Sequence, residues 1–381
     1  MPIATHPELS EAQAALRGLA RDFAEQKLAP GAAERDRTCE FPQELYREAA
    51  GLGLVGVDLP EEYGGGGLGC FENALVLEEL ARVDASFALT AGASAGLTGG
   101  HILRAGSEEQ RARWVPPLAR GELGAWALTE PDSGSDAAAL RCRARREGGS
   151  YVLDGAKMFI SQGSLFSAMV VMARTGEGKG GISAFVVERG DAGRESRPLH
   201  GKLGMRSSDT AEVVFSGCHI PSGRLLGGEG EGFRQALGTL NAGRVGVGAM
   251  CAGIGQGALE AAAAYARERQ AFGRPIAEFG GLRAMLAQGA IELAAGRELV
   301  ARAARLCDRG EDFRKEAAMA KLLASEACLR ACDRAIQVHG GAGYLDEHPV
   351  GRLWRDARLL TIGEGTSEVL RSLIGRDLIP G

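Results

Sequence analysis

Five short segments of the chain combine glycines, hydroxyls and charged or amide side chains densely enough to hold a polar ligand. Ala127-Leu-Thr-Glu-Pro-Asp-Ser-Gly-Ser-Asp136 packs hydroxyls, small residues and turn formers into ten positions. Such a stretch offers backbone N–H and hydroxyl donors to a planar polar group. The others are Lys157-Met-Phe-Ile-Ser161, Arg269-Gln-Ala-Phe-Gly273, Gln337-Val-His-Gly-Gly-Ala-Gly343 and Gly363-Glu-Gly-Thr-Ser-Glu368. Taken singly, each also reads as a helix or strand end with its turn.

Several chemistries are excluded by absence. No GxGxxG follows a strand pattern, and no Walker A sequence occurs. Gly64–Gly67 lacks a strand-to-helix context, and Gly227-Gly-Glu-Gly-Glu-Gly232 lacks the following Lys-Ser/Thr. No GxSxG elbow marks an α/β-hydrolase. Six histidines are too few and too scattered for a multi-His metal site, and no metal is expected. The eight cysteines form no CxxC pair; Cys328 and Cys332, four apart on a helical pattern, read as small buried helix residues.

The elements that must position these segments follow from periodicity. Ser10 and Gln13 make a capping box, and Ala12, Leu16, Leu19 and Phe23 follow at helical spacing, with Pro30-Gly31 as the stop. Phe41-Pro42 opens another helix, and helical periodicity returns over 74–81, 91–103 and 108–118. From 121 to about 226 the pattern changes to short alternating stretches. Tyr151–Leu153, Asp154-Gly155 and Lys157–Ile160 predict a hairpin, with further strands at 168–172, 182–187 and 211–215. Strands this close, without intervening helices, predict an antiparallel β domain. Long helical stretches over 232–269, 279–308 and 312–338, and a last one at about 366–376, predict an antiparallel bundle. The class is α+β, divided as 1–120 (helical), 121–226 (β) and 227–381 (helical).

With 381 residues, 45% hydrophobic and 24% charged, the chain is long enough for two to three globular domains and ordinary in composition. A net charge of −5 without a basic face argues against nucleic acid as a partner. No apolar run reaches membrane-spanning length, the first residues (MPIATHPELSEAQ) do not read as a signal peptide, and scattered cysteines suit the reducing cytosol, so a cytoplasmic location is expected.

Together, in this order and on this α–β–α layout, the five segments resemble the acyl-CoA dehydrogenase family, closest in look to its short- and branched-chain bacterial members. The resemblance spans about residues 8–378. It implies an N-terminal helical domain, a middle β domain and a C-terminal four-helix bundle, with FAD between the last two, a homotetramer, and an electron-transfer flavoprotein as acceptor. By resemblance, Trp126, Leu128 and Thr129 line the flavin ring. Gly134 and Ser135 lie by flavin or the pantetheine arm of the substrate. Phe159 and Ser161 form the other flavin wall. Arg269, Phe272, Gln337, Gly340 and Gly341 match positions that hold the pyrophosphate and adenine end, partly from a neighbouring subunit; the arginine fork suits phosphate. Thr366 and Glu368 match FAD contacts. Arg244, Gly363 and Gly365 match the substrate side. Arg206 and Ser208 match the CoA side.

Glu364 matches the family's base. The α-hydrogen of a thioester is weakly acidic, and a carboxylate raised toward neutrality by burial is suited to take it as a proton while the β-hydrogen leaves as hydride to flavin N5. The alternative position for a base, on the first bundle helix, is Gly243, so no second carboxylate competes. Gly363 replaces the tyrosine of many straight-chain members and opens room for branched acyl groups, and Ala91–Gly100 matches the floor of the acyl pocket. The expected reaction is oxidation of an acyl-CoA to the trans-2-enoyl-CoA, in fatty-acid β-oxidation or branched-chain catabolism. The alternatives are an acyl-CoA oxidase and a dehydrogenase acting on a carrier-protein-bound acyl group.

Overall fold

Ser10 caps the first helix as its spacing requires. Its hydroxyl accepts the Gln13 N–H at 3.2 Å while the Gln13 side chain accepts the Ser10 N–H at 3.0 Å. This fixes the start of α1 (Glu11–Phe23). The computed structural model describes residues 9–379; most of the stretch read as lacking a signal peptide, positions 1–8, lies outside them. Pro30-Gly31 does not stop the helical path. A widened turn at Ala24–Leu28 and a tight one at Ala29–Gly31 lead into α2 (Ala32–Thr38). Pro30 sits in the opening turn of a new segment, where a missing N–H costs little. Then come α3 (Gln43–Gly51), α4 (Cys70–Ala81), α5 (Ala85–Ala91), α6 (Gly100–Ala105) and α7 (Glu108–Ala119). Gly92–Gly99, between α5 and α6, stays helical but with the wide π spacing.

The middle region is one twisted sheet of β1 (Gly124–Ala127), β2 (Arg143–Glu147), β3 (Ser150–Ser161), β4 (Ala168–Arg174), β5 (Ile182–Glu188), β6 (Arg194–Pro198), β7 (Thr210–Pro221) and β8 (Leu225–Leu226). The order is β6-β7-β3-β2-β4-β5-β8, with β1 beside β4. Pairing is antiparallel apart from the β1–β4 ladder and the single Arg143–Arg174 pair, which run parallel. The hairpin expected at Asp154-Gly155 is not there. β3 runs straight through, and Asp154-Gly155 is a bulge against β7. The Asp154 carboxylate accepts the Gly217 N–H at 2.7 Å, and a side chain at Gly155 would strike the Cys142 backbone. The true hairpin joins β2 to β3 through Gly148-Gly149, with Gly148 at φ 58°. β4 and β5 are buried on both faces. Met169 and Val171 face the sheet's own core, while Val170 and Met172 pack on the helices.

The C-terminal region follows its periodicity closely. α8 (Gly232–Glu268) leads through a small ribbon, β9 (Gln270–Ala271) and β10 (Arg274–Pro275), to α9 (Gly280–Asp308), α10 (Arg314–His339), α11 (Val350–Leu359) and α12 (Ser367–Leu378). α8, α9 and α10 pack as an up-down-up set, with α12 against α10. The N-terminal region docks on the bundle through glycines of α8. A Cβ at Gly253 or Gly257 would overlap the carbonyl oxygen of Glu78 on α4 or of Arg82 directly after it. Beside that contact, Arg297 of α9 and Glu78 form a buried ion pair at 2.8 Å. No helix of the described residues is long and apolar enough to cross a membrane.

Candidate active site

Glu364 lies in the link between α11 and α12, where Thr366 caps α12 by accepting the Val369 N–H at 3.3 Å. The link is drawn into a left-handed turn, with φ of 54° at Glu364 and 105° at Gly365. A non-glycine residue there is strained and persists only where its surroundings hold it. Two cations from two helices do so. Arg244 of α8 donates from Nε to the Glu364 carbonyl at 3.1 Å, and Lys321 of α10 donates from Nζ to the Gly365 carbonyl at 2.7 Å. Both bonds go to backbone carbonyls and neither goes to the carboxylate. Its Oε2 is buried without a hydrogen-bond partner among the described residues. Burial pushes its pKa up to about 7, against the opposing pull of Arg244 and Lys321.

The carboxylate faces a cavity of about 1460 Å³ between the sheet, the N-terminal helices and the bundle. One wall carries Trp126, Leu128, Thr129, Gly134, Ser135, Phe159 and Ser161, contributed by β1, the loop after it and β3. The same cavity is lined by Arg244 of α8 and by Gly363, Glu364, Gly365 and Thr366 of the α11–α12 link. Gly92, Ala93, Gly96 and Leu97 of the π segment, with Leu77 and Met250, make an apolar recess beside them. Residues 126–366 of the sequence are thus drawn to one cavity by a loop, a bulged strand and a helix link.

The first wall is built on a buried ion pair that sequence reading did not single out. Lys157 of β3 is fully buried and donates to Glu130 Oε1 at 2.7 Å and to the Leu128 carbonyl at 3.0 Å. Glu130 also accepts the N–H groups of Arg141 and Cys142, at 2.6 and 2.9 Å. Leu128 and Thr129 are therefore fixed from behind. The register shift between Lys157 and Ile160 accompanies a φ of 60° at Phe159, which is 67% exposed. Both residues lay inside the two quoted segments, but their pairing is a tertiary fact. His101 of α6, also unflagged by sequence, accepts the Trp126 indole N–H on Nδ1 at 3.1 Å, and its Nε2 meets Gln235 Oε1 of α8 at 3.2 Å. Burial pushes His101 down to about 4, so it is neutral near pH 7, with its proton on Nε2.

Other expected residues stand elsewhere. Arg269 joins α8 to β9 and Phe272 lies in the turn between β9 and β10, and Gln337, Gly340 and Gly341 lie where α10 ends. Tyr265 stacks on His339 with centroids 4.4 Å apart, so both groups share one end of the bundle. That end is remote from Glu364. The twenty-five residues of α8 between Arg244 and Arg269 span ~37 Å at 1.5 Å per residue. Phe272 is 95% exposed there. Glu368 is exposed on the first turn of α12 and does not line the cavity. Ser208 is fully buried. Its hydroxyl is used inside the fold by Gln162 and Thr90, at 3.1 and 3.2 Å. Arg206 is outside the cavity lining and bonds the Lys202 carbonyl.

Gly243 sits opposite the carboxylate. A Cβ there would overlap the Glu364 carboxylate and come within 2.8 Å of Leu97 Cδ2. Gly243→Ala is expected to displace Glu364 by about an ångström and lower kcat about a hundredfold, with thermal stability little changed. Steady-state kinetics and a melting curve on the same sample check both halves.

Three family models match in order: acyl-CoA dehydrogenase N-terminal domain over 10–122, middle domain over 125–218 and C-terminal domain over 230–379. A probable acyl-CoA dehydrogenase of Bacillus subtilis, YngJ, is 42% identical over 98% of this chain and 99% of its own. The chain belongs to the acyl-CoA dehydrogenase family. As an acyl-CoA dehydrogenase it is an oxidoreductase with the family's three-part fold. The structure of butyryl-CoA dehydrogenase from Megasphaera elsdenii superposes with a TM-score of 0.95 at 37% identity, covering 98% of this chain and all of that one. A chain in the structure described as the electron transferring flavoprotein of Acidaminococcus fermentans superposes with a TM-score of 0.97 at 39% identity, covering 99% of this chain and all of that one.

Proposed function

We propose that the protein oxidises an acyl-CoA to the trans-2-enoyl-CoA, with Glu364 as the base that removes the α-proton. The observation that carries this is the Glu364 carboxylate, its Oε2 buried and unpartnered among the described residues, lining one cavity together with Trp126, Thr129 and Phe159. Acyl-CoA dehydrogenases are FAD-dependent, and the cavity suits the isoalloxazine. Two aromatics, Trp126 and Phe159, flank hydroxyls on Thr129, Ser135 and Ser161 that can meet its polar edge. When bound, FAD supplies the N5 acceptor for the β-hydride. Every other requirement falls to the chain itself.

The acyl group lies in the recess of Gly92, Ala93, Gly96, Leu97 and Leu77, which excludes water from the reacting carbons. The Glu364 N–H donates to no protein acceptor among the described residues, so it is free to bind the thioester oxygen as enolate charge develops. Arg244, fixed on Asn241 Oδ1 at 3.0 Å, holds the link that aims the carboxylate. Gly363 leaves open space, the nearest atom to a Cβ there being the Leu359 carbonyl at 3.8 Å. That room accommodates branched or bulkier acyl groups; the proposed setting is β-oxidation or branched-chain catabolism in the cytoplasm, with an electron-transfer flavoprotein as acceptor. Division at 120 and 226 separates the parts that enclose the cavity.

The remote set of Arg269, Phe272, Gln337, Gly340 and Gly341 is ~37 Å away along α8, beyond the reach of a dinucleotide whose ring lies at Trp126. In a homotetramer this end serves the neighbouring subunit's pyrophosphate and adenine, and Thr366 and Glu368 serve the chain's own cofactor. Arg269→Ala is therefore expected to lower FAD content and loosen assembly together, read as the visible flavin absorbance per protein and as mass by light scattering. Unchanged values on both refute the phosphate role.

An oxidase, or an enzyme for carrier-bound acyl groups, would use the same carboxylate. Turnover in air without peroxide, and a preference for CoA over carrier-protein thioesters, are the expected results. Stoichiometric peroxide or sole use of the carrier thioester would replace this reading with one of those two.

A further inference from the structure

A lysine in the middle of a bundle helix is a costly residue to keep. Lys321 is 0% exposed, on the inward face of α10, where a methionine of similar length would pack without losing a charge's hydration. Among the described residues it has no ion pair. Glu326, on its own helix, is taken by Arg371 at 2.5 Å. The single hydrogen bond of its ammonium goes to the Gly365 carbonyl at 2.7 Å. The charged and titratable groups facing it are Arg244 and Cys251 from α8, Glu326 from α10 and Glu364 from the α11–α12 link. Burial pulls Lys321 down to about 8, with Arg244 adding to the fall and Cys251, Glu364 and Glu326 opposing it, so it is still largely protonated near neutrality.

Arg244 and Lys321 hold successive carbonyls of the same strained turn, but their positions differ. Arg244 lines the cavity and Lys321 does not. Lys321 therefore has no path to the substrate except through the Glu364–Gly365 backbone and through its field. Among the described residues, these two cations are the charges set against the burial that opposes ionisation of Glu364.

We propose that Lys321 is a positioning residue of the reaction: it clamps the backbone that presents Glu364 and supplies positive potential to that carboxylate. The inference rests on Glu364 being the base. A base must be ionised to act, so kcat/KM rises with pH through the Glu364 pKa. Removing a nearby cation raises a carboxyl pKa, which moves that acid limb to higher pH.

The test uses the FAD-loaded enzyme and three variants. Lys321→Met removes the clamp and the charge, Lys321→Gln keeps a donor for Gly365 without charge, and Lys321→Arg keeps the charge. Lys321→Met is expected to move the acid limb up by about one pH unit, about tenfold in rate on that limb, with KM within about twofold. Lys321→Gln is expected to shift the limb equally while keeping more of the plateau kcat, and Lys321→Arg to restore the wild-type limb. The same displacement is expected in the Glu364 carboxyl band followed by infrared difference spectroscopy without substrate, with Glu364→Gln as the blank. A purely structural lysine lowers stability and leaves the limb where it was. A wild-type limb in Lys321→Gln, or the same shift in Lys321→Arg as in the neutral variants, overturns the proposal. Should Lys321→Met not fold, the Gln and Arg variants carry the comparison. Wild-type turnover in Glu364→Gln would instead remove the reading beneath it.

Discussion

Glu364→Gln is expected to lower kcat by about 10³-fold, within the 10²–10⁴ that a positioned base contributes, while FAD content and acyl-CoA binding stay intact. Glutamine keeps the shape and the N–H of residue 364 but cannot take the α-proton. The bonds from Arg244 and Lys321 go to backbone carbonyls, so the turn survives the exchange. The same substitution should stabilise the fold. In the folded state the carboxyl titrates at about 7, above its ordinary 4.5, so the folded protein binds the proton more tightly than the unfolded chain. Stability is then lost as pH rises from about 4.5 through about 7, by at most about 3 kcal/mol. Glutamine removes that loss. Glu364→Gln should thus melt higher than wild type at pH 8 and no higher at pH 4, measured by calorimetry beside stopped-flow kinetics. A variant that is both active and unstabilised at pH 8 would contradict the placement of the base and its burial at once.

The second large effect is structural. Lys157→Met leaves Glu130 buried with its two backbone N–H partners but without its cation, and frees the Leu128 carbonyl. Breaking one side of such a pair costs about 3–5 kcal/mol. Because Leu128 and Thr129 form a cavity wall, loss of stability and loss of flavin should come together, whereas Glu364→Gln keeps its flavin. Pairing Lys157→Met with Glu130→Gln should recover part of the stability, since the uncompensated charge is then gone. Denaturant unfolding and the visible spectrum of the purified variants report both.

The long elements were legible because their periods are long. Residues 232–269, 279–308 and 312–338 predict helices, and α8, α9 and α10 begin and end within two residues of those limits. The capping box at Ser10 and Gln13 is a local device and is found in place. Asp154-Gly155 misleads for a physical reason. A turn-forming pair also suits a bulge, and only the partner strand β7, some sixty residues on, decides between them. The parallel pairing of β1 with β4 is likewise a long-range choice.

In the site, Thr129, Phe159, Ser161 and Glu364 lie in segments dense in glycine, hydroxyls and charged side chains, whereas Trp126 stands just outside them and was named only through the family resemblance. Lys321 and His101 were not. A lysine within a helix normally snorkels to solvent, and nothing in the local spacing marks the one that turns inward. The separation of Arg269 and Gly340 from the cavity was hidden too, because helix length becomes distance only once α8 is known to be unbroken.

The most direct test is an anaerobic titration of the purified protein with straight and branched acyl-CoAs, following the visible flavin band and identifying the product by mass. One short or branched acyl-CoA should bleach the flavin stoichiometrically and yield the trans-2-enoyl-CoA, and Glu364→Gln should stay yellow with the same ligand. A wild-type flavin that no acyl-CoA bleaches, or a Glu364→Gln protein that bleaches as fast as wild type, would contradict acyl-CoA dehydrogenation by this carboxylate.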